Sequence, residues 1–138
     1  MPSGAKRRRV NETEVVADAS AILAALKNEP FSNFDPRRLI GATVSAVNLC
    51  EILSKLHDDG LNEAQADAAL SAMDLRVIPF DGLQAHIAAG LRRTTRHAGL
   101  SLGDRACLAL GDRLGYPVVT ADRVWAGPDV GVEIVLIR

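Results

Sequence analysis

Aromatic side chains are scarce in this chain: one Trp, one Tyr and three Phe among 138 residues. Few are therefore on hand to stack nucleic-acid bases, and the only Trp, Trp125, reads equally well as core. Cysteine is as sparse. Cys50 and Cys107 each lie inside an aliphatic helical pattern, which reads as two buried small side chains in a reducing compartment rather than a disulfide. No CxxC, HxH or HExxH occurs, and His57, His86 and His97 are scattered, so zinc chemistry is disfavoured. There is no run of about 18 apolar residues, so no membrane span is expected. The basic N-terminus has no apolar stretch behind it, which argues against a signal peptide and for a cytoplasmic protein. The sequon at Asn11 carries no meaning without secretion. Neither GxGxxG nor GxxxxGK[ST] is present, which removes the common nucleotide-binding loops. No internal repeat and no low-complexity segment occurs.

What is present is ordinary globular composition, 48% hydrophobic and 24% charged, at a length that suits one domain with a real core. The net charge of −1 is unevenly placed. Lys6-Arg7-Arg8-Arg9 holds four of the sixteen basic residues, leaving twelve against seventeen acids, or −5, for the rest. Such a run is either a polyanion-binding tail or a solvated, disordered end. Residues 1–13 are accordingly expected to be a basic extension ahead of a single domain at 14–138.

The periodic part starts at Val15. "VVADAS" predicts a short buried strand ending at Asp18, and "SAILAALKNE" a helix capped by Ser20. "PFSNFDP" is loop. Helices are expected from about Ser45 to near Gly60 and after Asn62, then a strand at "LRVIPF". "DGLQAHIAAGLRRTTRHAG" is mainly helix, as is "SLGDRACLALGDRLG"; "YPVVTAD" and "GVEIVLIR" are strands. Val- and Ile-rich strands separated by helices describe an α/β domain with a mainly parallel, covered sheet. In such sheets ligands collect outside the carboxyl ends of the strands.

Four acids stand out: Asp18 and Asp122 at strand ends, Glu51 and Asp104 on early helical turns. Each has a purely structural alternative. Asp18 can cap a helix, Glu51 can pair with Lys55 one turn on, and Asp122 can serve a turn. Asp104, three residues after Ser101, can close a capping box. On its own helix face Asp104 stands above Cys107, Leu108 and Gly111, turned toward packed surface, where an unmet carboxylate is costly. All four can converge at one end of the sheet, and such a cluster stays ionised at neutral pH only with a cation among it. Oxygen ligands call for Mg²⁺, or Mn²⁺ in its place. Two such ions about 3.5–4 Å apart can activate water and stabilise the leaving oxygen of a phosphodiester.

The stretches "VVADASAILAAL", "SAVNLCEILSKL", "LSLGDRACLAL" and "VVTADRVW", in this order, resemble the successive motifs of PIN-domain proteins, specifically the VapC-type toxins of bacterial toxin–antitoxin pairs. The resemblance spans Val15 to Arg138 and implies a small three-layer α/β/α sandwich around a parallel sheet. It implies a metal-dependent endoribonuclease with Asp18, Glu51, Asp104 and Asp122 as its acidic site. Asp18 and Asp104 would then be the principal metal ligands. Glu51 and Asp122 would complete the shell directly, through water, or by orienting the attacking water. It further implies a VapB-like antitoxin partner and a homodimer. The aliphatic helices around Ile22–Leu26 and Leu49–Leu56 could supply a docking groove, or simply pack the core. The extension 1–13 is longer and more basic than the family's usual start.

Other side chains near the acids have open readings. Ser20 and Thr120 could hydrogen-bond a ligand or water, or serve as a helix cap and a strand residue. Arg105 and Arg123 directly follow site acids and could meet phosphate. Arg92, Arg93 and Arg96 form a cluster that is either a second phosphate contact or a solvated helix end. Asp129 is an extra acid or a turn residue. One alternative function is a PIN-fold, protein-binding regulatory module without nuclease activity. A phosphoacceptor receiver domain is rejected, because adjacent acids at the first strand end and a late lysine are missing: no lysine follows Lys55.

Overall fold

A computed structural model describes residues 14–126 and 130–138; the expectations for residues 1–13 and for Asp129 fall outside them. The strands are β1 (Val16–Ala17), β2 (Thr43–Ser45), β3 (Arg76–Ile78), β4 (Val118–Thr120) and β5 (Ile134–Leu136). The helices are α1 (Ala19–Leu26), α2 (Ala46–Asp58), α3 (Glu63–Ser71), α4 (Gly82–Thr95) and α5 (Leu102–Leu114), with short 3-10 turns at Pro36–Leu39, Arg96–Ala98 and Arg123–Ala126. All four strand pairings are parallel, in the order β3-β2-β1-β4-β5. The expected α/β sandwich is what the chain forms.

Strand periodicity explains the two layers, since successive side chains of a strand face opposite ways. Val15 and Ala17 join Val119 and Ile137 in a core with Ala21, Ile22, Ile52 and Leu56. Val16 and Val118 face the other way, onto Cys107, Leu108, Leu110 and Trp125. Trp125 is fully buried, as expected of a core residue. Ile22, Ile52 and Leu56 are likewise consumed by the core. None of the helices among the described residues is long and apolar enough to cross a membrane.

Two local readings are corrected. Asp18, not Ser20, caps α1: its side chain accepts from the Ala21 amide, while Ser20 is already inside the helix. Cys50 is exposed rather than buried, because α2 turns Asn48, Ile52 and Leu56 inward and Cys50 outward; both cysteines are free thiols.

The topology sets where a site can form. The chain builds β1, β2 and β3 outward on one side, then crosses to β4 and β5 on the other. The order therefore reverses between β1 and β4, and the crevice at their carboxyl ends is the switch point at which α/β sheets hold ligands. Helix α5 crosses beneath this crevice, buried from Gly103 to Gly111 apart from half-buried Asp104. Its approach to β4 depends on Gly111, where a Cβ would overlap the Val118 side chain and lie 3.3 Å from the Tyr116 carbonyl oxygen.

Gly111→Ala is therefore expected to destabilise the fold by about 1–3 kcal/mol, the usual cost of overpacking. Gly90→Ala, in open space on α4, should instead stabilise by about 0.5–1 kcal/mol through helix propensity. Urea denaturation of the two variants beside the parent checks both signs.

Candidate active site

Asp18 follows β1 directly and is 4% exposed. Its Oδ1 accepts from the Ala21 amide at 3.0 Å, and the Ser20 hydroxyl reaches both carboxylate oxygens at 2.8 and 2.9 Å. Thr120, at the end of β4, donates to Oδ2 at 2.8 Å. The same two hydroxyls accept from the next backbone turn: Ser20 Oγ from the Ala121 amide at 2.9 Å and Thr120 Oγ1 from the Asp122 amide at 3.0 Å. Ser20 and Thr120 are thus neither a helix cap nor a bystander strand residue. They hold Asp18 and stitch β1 to the turn after β4.

Every donor to Asp18 is neutral, and this decides its charge state. Burial pushes its carboxyl up from 3.8 to about 6, against the lowering pull of the Ala21, Ser20 and Thr120 hydrogen bonds, and the charge of Asp104 adds to the rise. Asp104 is in the capping box of α5: its Oδ2 accepts from the Ser101 amide at 2.9 Å while the Ser101 hydroxyl accepts from the Asp104 amide at 3.1 Å. The box engages one carboxylate oxygen, and the charge still bears on Asp18.

Glu51 is exposed on α2 and, among the described residues, makes no ion pair with Lys55. It turns instead toward α5. The buried Asn48 amide donates to Glu51 Oε1 at 2.9 Å and to the Gly103 carbonyl at 3.0 Å. Asn48 Oδ1 is itself buried without a partner, a loss of about 1–3 kcal/mol in general. The Cys107 thiol below is pushed well above its usual value by burial and by the charges of Asp18, Asp104 and Glu51. Three of the four acids predicted from sequence thus act electrostatically on one buried thiol.

The fourth lies past the end of a strand. β4 ends at Thr120, and Asp122 stands exposed in the turn beyond, its Oδ1 accepting from the Val124 amide at 3.0 Å. Arg123 beside it is exposed. Arg105 is not presented to the acids: it is 8% exposed and donates to the Ala88 carbonyl of α4 at 3.0 Å. Its position on α5, one residue past Asp104, turns it toward the neighbouring helix. Arg92, Arg93 and Arg96 are exposed at the carboxyl end of α4, where their charge suits the helix dipole. Asn48 is the residue that sequence reasoning missed. Its signal was a polar side chain in the stripe that also carries Ile52 and Leu56.

A hard cation fits the donor set. The acidic side chains are oxygen donors, and burial raises the Asp18 carboxyl, so a neighbouring cation would favour its charged form. Among the described residues no group of three acidic, His or Cys side chains forms a metal cage. Mg²⁺ does not require one, since it commonly keeps several waters and takes one or two carboxylates.

The family model for the PIN domain matches residues 15–129. The chain belongs to the PIN domain family. Solved structures share this fold. A member of the VapBC family of toxin–antitoxin systems, VapBC-5 from Mycobacterium tuberculosis, is 24% identical, with 91% of this chain and 99% of that one covered and a TM-score of 0.62. VapBC2 from Rickettsia felis, bound to a DNA fragment from its promoter, is 15% identical over 88% of this chain and 96% of that one, at a TM-score of 0.67. The sarcin–ricin loop cleaving toxin VapC20 of Mycobacterium tuberculosis is 22% identical over 84% and 97%, at 0.59. A comparison with curated protein sequences returned no match. At these identities the structural likeness is one of fold.

The pH dependence of this PIN domain follows from Asp18. Between about pH 4 and 6 the folded chain keeps a proton that the unfolded chain has already lost. The Asp18 contribution to stability is therefore fully present below about pH 4, is lost as pH rises toward 6, and is flat above. Asp18→Asn removes the buried charge while retaining an oxygen for the Ala21 amide. In EDTA it should be more stable than the parent at pH 7.5, by up to about 3 kcal/mol, and the gap should close near pH 4. Thermal melts across this range test it.

Proposed function

We propose that this PIN domain is a Mg²⁺-dependent endoribonuclease, with Mn²⁺ as a substitute, acting as the toxin of a type II toxin–antitoxin pair. The observation that carries the reading is the buried Asp18 at the β1/β4 switch point, ionised only at a cost and met by a second acid instead of a base. The company of the fold supports it: VapBC-5 and VapC20 are described as a toxin–antitoxin family member and as a toxin that cleaves the sarcin–ricin loop.

In this reading Asp18 and Asp104 hold the cation, with Ser20 and Thr120 fixing the Asp18 carboxylate. Bound there, a divalent cation supplies charge stabilisation at the phosphodiester and a more acidic water. Glu51, on α2, would complete the shell directly or through a water, and its carboxylate would orient the attacking water. Asp122 contributes from the turn after β4 through water, and Arg123 beside it is free to meet a phosphate. Arg105 is left out of substrate contact, since its guanidinium is engaged inside the fold. Charge neutralisation by a basic side chain is the natural means of inhibition, which suits a VapB-like antitoxin. A homodimer working in the cytoplasm is part of the same reading.

Asp104→Asn is the decisive variant. Asn keeps an oxygen for the Ser101 amide, so the capping box survives while the charge goes, and melting should barely move. Cleavage of a mixed RNA pool containing structured tRNA and ribosomal fragments should occur with Mg²⁺ or Mn²⁺ and stop in EDTA. It should fall on the order of 100-fold in the variant. Equal behaviour of parent and variant, with antitoxin absent and metal bound, would sink the nuclease reading in favour of a regulatory module.

A further inference from the structure

We propose that Asn48 is a positioning residue, whose amide clamps the Glu51 carboxylate against the first turn of α5 in the space left by Gly103. The inference deepens the nuclease reading and rests on it for the meaning of Glu51, although the clamp is defined by geometry alone.

Three observations carry it. Asn48 is 1% exposed, in the stripe of α2 that also buries Ile52 and Leu56. Its two amide protons go to Glu51 Oε1 and to the Gly103 carbonyl. Neither acceptor can donate, so the amide has one orientation only, and Oδ1 is left buried without a partner as the consequence. The opposite wall is Gly103. A Cβ there would lie 2.6 Å from Glu51 Oε1 and overlap Oε2, so the carboxylate occupies volume that only glycine leaves open. This glycine does not have a left-handed backbone, so space rather than conformation accounts for it.

The consequence concerns an exposed, long side chain. Unrestrained on a helix surface, Glu51 would spread over several rotamers. The Asn48 amide, one turn earlier on α2, selects one and ties it to the helix that carries Asp104. Glu51 thereby shares a frame with Asp104 and, through α5, with the crevice of Asp18. A catalytic role is not implied for Asn48: it acts through Glu51.

The test is Mn²⁺ titration calorimetry on the full chain as parent, Asn48→Ala, Glu51→Ala, the double variant and Gly103→Ala, with thermal melts in EDTA to follow folding. Asn48→Ala should weaken Mn²⁺ binding about tenfold, in the range seen when groups supporting a ligand are removed. It should have no further effect in the Glu51→Ala background, the coupling expected of a residue acting through its neighbour. Gly103→Ala, which leaves Asn48 in place, should weaken binding similarly, and it carries the test if Asn48→Ala fails to fold. Equal losses with and without Glu51, or unchanged affinity in both Asn48→Ala and Gly103→Ala, would overturn the clamp. RNA cleavage run in parallel separates the two readings. Coupled Mn²⁺ losses without any cleavage by the parent retain the clamp and defeat the nuclease. A parent that takes up no Mn²⁺ defeats both.

Discussion

One carboxylate organises the top of this molecule. Asp18 lies where the connectivity of the sheet reverses, and its oxygens receive the first turn of α1, the Ser20 hydroxyl and the Thr120 hydroxyl. Because Ser20 and Thr120 pass the chain of hydrogen bonds on to the amides of Ala121 and Asp122, the ends of β1 and β4 are joined through side chains as well as through the ladder. Neutral donors satisfy the geometry of a carboxylate but not its charge. Desolvation therefore outweighs the hydrogen bonds and raises the carboxyl to about 6.

In the proposed nuclease, one residue of helix α5 would be a stabilising device and a chemical one at once. The capping box of Ser101 and Asp104 satisfies amides that the helix start would otherwise leave open. Its acidic half also lies at the positive end of the helix dipole, where an acidic side chain stabilises the helix. The charge reaches Asp18 and Cys107 all the same. The structural and functional readings of Asp104 are therefore not rivals. A cap holds the carboxylate in one place, and a fixed carboxylate is what a metal or a reacting water needs.

The surroundings of Glu51 follow another logic. Here the helix supplies no cap, and the side chain is held from the flank by an amide whose own oxygen remains unsatisfied. Close approach of α2 to α5 at Gly103 leaves the carboxylate a slot with glycine for its floor. Gly111 serves the same helix at its far end by admitting Val118. Small residues at both ends let α5 lie close to its neighbours while presenting one acid to the crevice.

Much of this was determined by the sequence itself. Short Val- and Ile-rich segments marked the strands, helical spacing marked α2 and α5, and the order of Asp18, Glu51, Asp104 and Asp122 marked the family. These are local or linear signals, written in neighbours that the chain brings together within a few residues. Other features were decided only by tertiary structure. Ser20 reaches Asp18 locally, but that its oxygen also ties down the turn after β4 depends on Ala121, 101 residues away. Arg105 and Asp104 are adjacent, yet packing of α4 turns the arginine into the fold and leaves the aspartate at the crevice. Cys50 reads as apolar by its neighbours but lies outward once α2 settles on Ile52 and Leu56. Asn48 looks like an ordinary helix residue until Gly103 arrives from another helix. Periodicity reports which face of an element is apolar, but the partner opposite a given side chain is set by how the layers stack, and a buried polar group takes its role from that partner.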